Sequence, residues 1–275
     1  MGRKERSLVS VVITTYGQPE RLKKALQSVL NQTYEKLEII VVDGANDENC
    51  EKITEENNVK YIGIRNDIGV QHARNIGCKT AGGKYIAMLD DDDLWEPNKI
   101  EEQVKQFKDE YVALVTCFTK IKNNKESIFD KPPPRPDYNY LLQSFNYSST
   151  STYVFKKSIL KEIGYFDEDL IGMHEYDLAL KIAREGYKIY TVPHAMMIRS
   201  RDTKYGGRKH YHVKIAEVLE FWNNWGDEFI MQIGWKRFFL NAVKTIGLIS
   251  AYLLSYLIKD RVWDIIYPIK SKIGG

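Results

Sequence analysis

The sequence predicts an α/β domain, a mainly parallel sheet flanked by helices, followed by a helical tail over 235–275. Three observations predict it. Apolar, β-branched runs alternate with segments of helical periodicity; polar residues gather where those runs end; and the composition changes at Trp235.

Taken in order, Leu8–Thr15 is a β-branched run that reads as a buried strand. Pro19–Asn31 places Leu22, Ala25, Leu26, Val29 and Leu30 on one helix face. Leu37–Val42 reads as a second strand, Asp47–Asn57 as a polar helix and Val59–Ile64 as a third strand. Val70–Thr80 is a helix stopped by Gly82-Gly83. Lys84–Leu89 is a fourth strand that runs straight into acids, Pro97–Lys108 is helical, and Val112–Phe118 is another apolar strand. The segment Asn123–Tyr140, with Pro132-Pro133-Pro134 and Pro136, reads as a loop dividing a first half, about 7–120, from a second, 121–234. Beyond it, Thr152–Phe155 reads as a strand, Glu175–Gly186 as a helix with a glycine stop, Lys188–Val192 as a strand and Arg199–His212 as a basic loop.

Composition narrows the function classes. A chain of 275 residues with 43% hydrophobic and 12% aromatic residues builds a sizeable core, and a net charge of +3 gives no electrostatic case for nucleic acid. Cys50, Cys78 and Cys117 form no Cys-x-x-Cys pair, so they read as reduced, buried thiols of a cytoplasmic domain. The charged Met1–Arg6 lacks the apolar core of a signal peptide. The tail carries seven Lys or Arg against two Asp, and its uncharged stretch Thr245–Ile258 is short for a span, which takes about 20 residues. It reads as a helix lying on the cytoplasmic membrane surface, or packed on protein.

In a parallel sheet, ligands sit beyond the carboxyl ends of the strands. Thr14-Thr15-Tyr16, Asp43-Gly44 and Asp90–Asp93 all fall there. Four consecutive acids repel one another unless protons or a cation intervene, and oxygen-only ligands suit Mg²⁺ or Mn²⁺. Asp90 and Asp92 make the D-x-D spacing expected to hold it. Asp43 is placed to accept a base N–H or ribose hydroxyls, and Arg74 to pair with a diphosphate. Glu175 and Asp177 open a helix, where a general base or a dipole partner would both fit. His174 is a second candidate for the base, and residue chemistry alone does not choose between it and the acids. Trp95 reads equally as a platform stacking on a sugar or as core.

Together the segments Ser10–Tyr16, Ser28–Tyr34, Glu38–Gly44, Ala73–Gly77, Leu89–Asp93 and Glu175–Ala183 resemble the family 2 glycosyltransferases, of GT-A fold, over about Ser7–Val192. That resemblance implies inverting transfer of a sugar from a nucleoside-diphosphate sugar, with a lean toward UDP, onto an acceptor hydroxyl. A carbohydrate or lipid-linked acceptor and a role in cell-envelope glycan synthesis go with it. It further implies that Thr14, Tyr16 and Asp43 hold the nucleoside, that Asp90 and Asp91 flank ribose and diphosphate, and that Asp92 binds the metal. Family members usually carry Glu-Asp at the start of the late helix. Here His174-Glu175 stands there, which makes Glu175 the implied base, and Arg201 stands where many relatives have histidine. Trp95, His174, Asp177 and Arg201 would then face the acceptor. Two rival readings are a sugar nucleotidyltransferase, whose Gly-rich loop after the first strand is missing, and a non-catalytic nucleotide-sugar binder. No G-x-G-x-x-G follows the first strand, which argues against a dinucleotide oxidoreductase.

Overall fold

The computed structural model describes residues 6–66, 68–121, 127–144, 147–170, 173–199, 221 and 223–231. The chain divides into two compact units, 1–206 and 207–275. The expected boundary near 234, the tail, and Arg201 with most of the 199–212 loop lie outside the described residues.

The first unit is built on a nine-stranded mixed sheet. Strands β1 (Val9–Thr15), β2 (Leu37–Asp43), β3 (Lys60–Gly63) and β4 (Tyr85–Asp90) lie in the order β3-β2-β1-β4, all parallel. Helices α1 (Pro19–Leu30), α2 (Glu48–Glu56) and α3 (Val70–Thr80) make the crossovers. The α1 face is Leu22, Ala25, Leu26 and Val29, all buried, whereas Leu30 is 42% exposed and falls off the stripe. Asp47 caps α2 by accepting the N–H groups of Asn49 and Cys50. Gly77 lets α3 pack down on β1, since a Cβ there would stand 2.3 Å from Val12 Cγ1.

The second half departs from the expected parallel pattern. Between β4 and β6 (Val112–Ile121) runs β8 (Val154–Lys156), antiparallel to both; β6 then pairs in parallel with β9 (Lys188–Arg199). Two further strands are antiparallel: β5 (Asp93–Trp95) on β9, and β7 (Ser127–Asp130) on β6. The proline-rich stretch therefore holds a strand and the start of α5 (Tyr138–Ser144). Helix α4 is only Lys99–Val104, shorter than expected, while β9 runs seven residues beyond the expected Val192. Helices α6 (Lys157–Glu162) and α7 (His174–Arg184) complete the unit. Cys50, Cys78 and Cys117 are free and buried, as expected, and burial pushes their thiols up to about 12, 12 and 11. In the second unit, Phe221, Trp225 and Phe229 are buried at helical spacing. Among the described residues no helix is long and apolar enough to cross a membrane.

Trp95 is core: it is 4% exposed and its Nε1 donates to the Ser151 carbonyl at 2.8 Å. This corrects the sugar-stacking alternative, because its ring faces are enclosed. Over that ring, 4.0 Å from the centroid, lies Nζ of Lys99, which is fully buried and meets no hydrogen-bond partner among the described residues. Burial lowers the lysine to about 8. The unfolded chain therefore binds more protons than the folded one between about pH 8 and 10.5, so stability rises with pH across that window. Lys99→Met is expected to raise stability by about 2 kcal/mol at pH 7, with the gain shrinking toward pH 10, as read from denaturant midpoints of both proteins at each pH.

Candidate active site

The carboxyl ends of β1, β2 and β4 lie side by side, with Thr14 opposite Asp90 and Thr15 opposite Asp43. That register decides what each polar side chain meets. Thr14 Oγ1 donates to Asp90 Oδ1 at 3.0 Å, and Thr15 Oγ1 to Asp91 Oδ2 at 2.6 Å. Thr14 is 5% exposed, and its hydroxyl holds an acid of β4. Tyr16, next along the chain, is 65% exposed at the rim.

Asp43 is wholly buried, and both of its oxygens are engaged. Oδ1 accepts the N–H groups of Gly17 and Ala45 at 2.9 and 3.0 Å; Oδ2 accepts the Asp47 N–H at 2.8 Å and the Tyr61 hydroxyl at 3.0 Å. In this structure the carboxylate ties together the loops after β1 and β2. It fixes the turn at Tyr16-Gly17 through the Gly17 N–H.

Arg74 is 3% exposed and equally committed. Its Nη2 donates to both oxygens of Asp90 at 2.8 and 2.9 Å, and its guanidinium lies 5.6 Å from the centroid of the Phe166 ring. In this structure Arg74 neutralises Asp90. Asp90 in turn accepts hydrogen bonds on both oxygens.

The remaining acids differ sharply in setting. Asp93 is 4% exposed, and burial with the charges of Asp92 and Asp90 pushes it up to about 7. Asp91 is pushed up to about 6, chiefly by burial, although Thr15 hydrogen-bonds it. Asp92 is exposed and raised by desolvation and by Asp90. Among the described residues no three His, Cys, Asp or Glu side chains come together in a metal-ligating group. The chemistry still fits Mg²⁺ or Mn²⁺: a hard ion of this kind takes one or two carboxylates and completes its shell with water and substrate phosphate. Asp92 is the exposed carboxylate of the cluster, and the raised acids beside it are relieved by a cation.

The start of α7 meets the same cluster through Arg74. Glu175 Oε1 accepts from Thr150 Oγ1 at 2.8 Å, and Oε2 lies 3.0 Å from His174 Nε2. His174 Nε2 is also 2.7 Å from Arg74 Nη1, so the chain Asp90–Arg74–His174–Glu175 is continuous. Burial alone would raise Glu175, but His174, Arg74 and Thr150 outweigh it and hold the carboxyl well below the usual range. Its side chain is 24% exposed, against 12% for His174. Asp177, expected on the acceptor side, is turned inward. It is 1% exposed and ion-paired with Lys181 at 2.8 Å, one turn along the same helix.

Sequence reasoning missed the hydroxyl run Ser148-Ser149-Thr150-Ser151-Thr152, although its composition was a visible signal. Thr150 holds Glu175, and Ser151 Oγ accepts the Asp90 N–H at 3.1 Å.

The sequence and the fold match known proteins. The family model for glycosyl transferase family 2 matches residues 10–164. The chain belongs to glycosyltransferase family 2. A glycosyltransferase of Methanocaldococcus jannaschii is 29% identical over 99% of this chain and 97% of its own length. The Escherichia coli UDP-Glc:alpha-D-GlcNAc-diphosphoundecaprenol beta-1,3-glucosyltransferase WfaP is 30% identical over 66% of this chain and 72% of its own. Among solved structures, the mannosyltransferase PcManGT of Pyrobaculum calidifontis, in complex with GDP-Man and Mn²⁺, superposes with a TM-score of 0.64 at 18% identity, over 98% of this chain and 81% of that one. The last likeness establishes the GT-A fold of this family 2 enzyme.

Proposed function

We propose that this glycosyltransferase moves a sugar from a nucleoside-diphosphate donor to an acceptor hydroxyl with inversion, in a divalent-metal-dependent reaction. The observation that carries it is the continuous chain Asp90–Arg74–His174–Glu175, which joins an acid cluster with an exposed member, Asp92, to an ionised carboxylate. Asp92, with the cluster around it, would hold Mn²⁺ or Mg²⁺, which when bound supplies positive charge against the leaving diphosphate. The Mn²⁺ in the similarly folded mannosyltransferase supports that reading.

The chain's own residues do the rest. Glu175, held ionised, accepts the proton of the acceptor hydroxyl as its oxygen attacks the anomeric carbon. The new C–O bond forms on the face opposite the bond to the β-phosphate; that bond breaks and the nucleoside diphosphate departs. Arg74 cancels the charge of Asp90, so the donor's phosphates meet less repulsion at the strand end. Exposed Tyr16 is positioned beside the nucleoside. UDP as the nucleotide and a lipid-linked saccharide as the acceptor are supported by the name of the Escherichia coli relative. On this reading the protein works at the cytoplasmic face of a membrane, docked through 235–275.

Incubating the protein with a panel of UDP- and GDP-sugars, with Mn²⁺ or with chelator, tests the proposal. Metal-dependent release of nucleoside diphosphate from one donor class is expected. Release of pyrophosphate would instead make it a nucleotidyltransferase, and binding without turnover in the presence of acceptor would make it a non-catalytic binder.

A further inference from the structure

We infer that the cavity between the start of α5, the end of α7 and the start of β9 is a second saccharide site, which takes a neutral oligosaccharide and holds it away from the reaction. It stands apart from the catalytic reading and uses none of the same residues.

The cavity has a volume of about 550 Å³, within the range of about 300–1,000 Å³ that small ligands fill. Tyr138, Tyr187 and Tyr190 are half-buried in its lining, and Arg135, Asp137 and Asn139 are exposed. At Gly186 a φ of +79° turns the chain from α7 into β9, and a Cβ there would meet nothing within 4 Å, so the space is open. Glu175 lies in the first turn of α7 and Ala183, in the cavity wall, in its last, about 12 Å further along the axis. Strand β9 runs parallel to β6, and β6, like β4, runs antiparallel to β8. The start of β9 is therefore at the amino edge of the sheet, opposite the edge that carries Asp90–Asp93.

Local structure presets the polar groups. Thr191 donates its N–H to the Pro134 carbonyl at 2.9 Å and its hydroxyl to the Pro133 carbonyl at 2.6 Å, which ties the proline segment to β9. Arg135, between Pro134 and Pro136, lies with its guanidinium 4.8 Å from the centroid of the Tyr190 ring. A guanidinium lying over a ring keeps its N–H edges for other partners, and Arg135 has no ion pair among the described residues. Asp137 Oδ1 accepts the Tyr140 N–H at 2.7 Å, which leaves Oδ2. The side-chain amide of Asn139 makes no hydrogen bond among the described residues. Tyr187 is fixed by donating its hydroxyl to Glu162 Oε1 at 2.6 Å.

These groups suit a sugar. A pyranose has an apolar C–H face that packs on a tyrosine ring, and a rim of hydroxyls that both donate and accept. Arg135 supplies donors, Asp137 an acceptor and Asn139 both, and each is a planar fork able to bridge neighbouring hydroxyls. An anion fits less well. Lys188 is ion-paired with Asp109 at 2.9 Å, and the charge of Asp137 offsets that of Arg135, so the mouth has no net positive charge. A glycan chain held here is retained by the enzyme without touching Asp92 or Glu175.

Titration of the ¹⁵N-labelled full-length protein with chitotetraose, cellotetraose and mannotetraose tests this. Millimolar binding of at least one is expected, read as saturable shifts of the Asn139, Gly186 and Tyr187 amides and unaffected by excess UDP with Mn²⁺. Arg135→Gln should weaken that binding about 10-fold or more, the loss of hydrogen bonds from a charged donor, and Asn139→Ala about threefold or more. Both positions are exposed, so both variants should keep the wild-type thermal midpoint. Shifts confined to Asp90–Asp93 and Glu175, displacement by UDP, or equal affinity in wild type and Arg135→Gln would overturn the site. So would the absence of a saturable shift with all three sugars, or Arg135-dependent binding of phosphatidylglycerol vesicles in their place.

Discussion

Glu175→Gln is expected to lower turnover by about 10²–10⁴-fold, the range supplied by a positioned general base. Donor affinity should stay within about twofold, because the carboxylate lies on α7 and touches Thr150 and His174, whereas the donor-side acids end β4. Glutamine keeps the hydrogen bond from the Thr150 hydroxyl, so the fold around it survives. Steady-state kinetics with both substrates varied will separate the two effects: a fall in kcat with donor KM unchanged is the expected pattern. A parallel loss of donor affinity would move Glu175 from the acceptor side to the donor side. Because its neighbours hold the carboxyl well below the usual range, Glu175 is ionised through the whole neutral and mildly acidic region. The acid limb of the rate profile should therefore not come from Glu175 becoming protonated.

Asp92→Ala is expected to cut metal-dependent transfer by about 10³-fold or more, since the charge neutralisation supplied at a leaving diphosphate is worth several kcal/mol. Stability should change little, or rise slightly, because Asp92 is exposed and its charge adds to the repulsion on Asp93. Asp90→Ala should behave differently. It strips Arg74, 3% exposed, of both its hydrogen bonds to carboxylate and leaves a buried cation, so that variant should lose stability as well as activity. Thermal midpoints beside single-turnover rates distinguish the two.

The parallel half of the sheet was legible because each strand is four to seven residues long and ends where a helix-period segment begins. The acids at Asp90–Asp93 were legible for the same reason: they follow an apolar run that cannot be a surface. The elements that escaped are β5 and β7, three and four residues long, too short to carry a period and fixed only by their partners β9 and β6; β8 was legible as a strand, but its antiparallel pairing was not. The mutual contacts of Thr14, Asp43 and Arg74 were not legible, for one shared reason. Strand-end polar residues are also the groups that satisfy one another, and Asp43 collects three backbone N–H groups and a tyrosine hydroxyl before any ligand arrives. Likewise the Arg74–His174 contact joins residues 100 apart in sequence, which no local pattern encodes.

Calorimetric titration of UDP into the full-length protein, once with Mn²⁺ and once with chelator, tests the central claim most directly. If the acid cluster works by holding a cation against the donor's phosphates, binding should be at least 10-fold tighter with Mn²⁺, and Asp92→Ala should erase that difference. Equal affinity in the two buffers would contradict it.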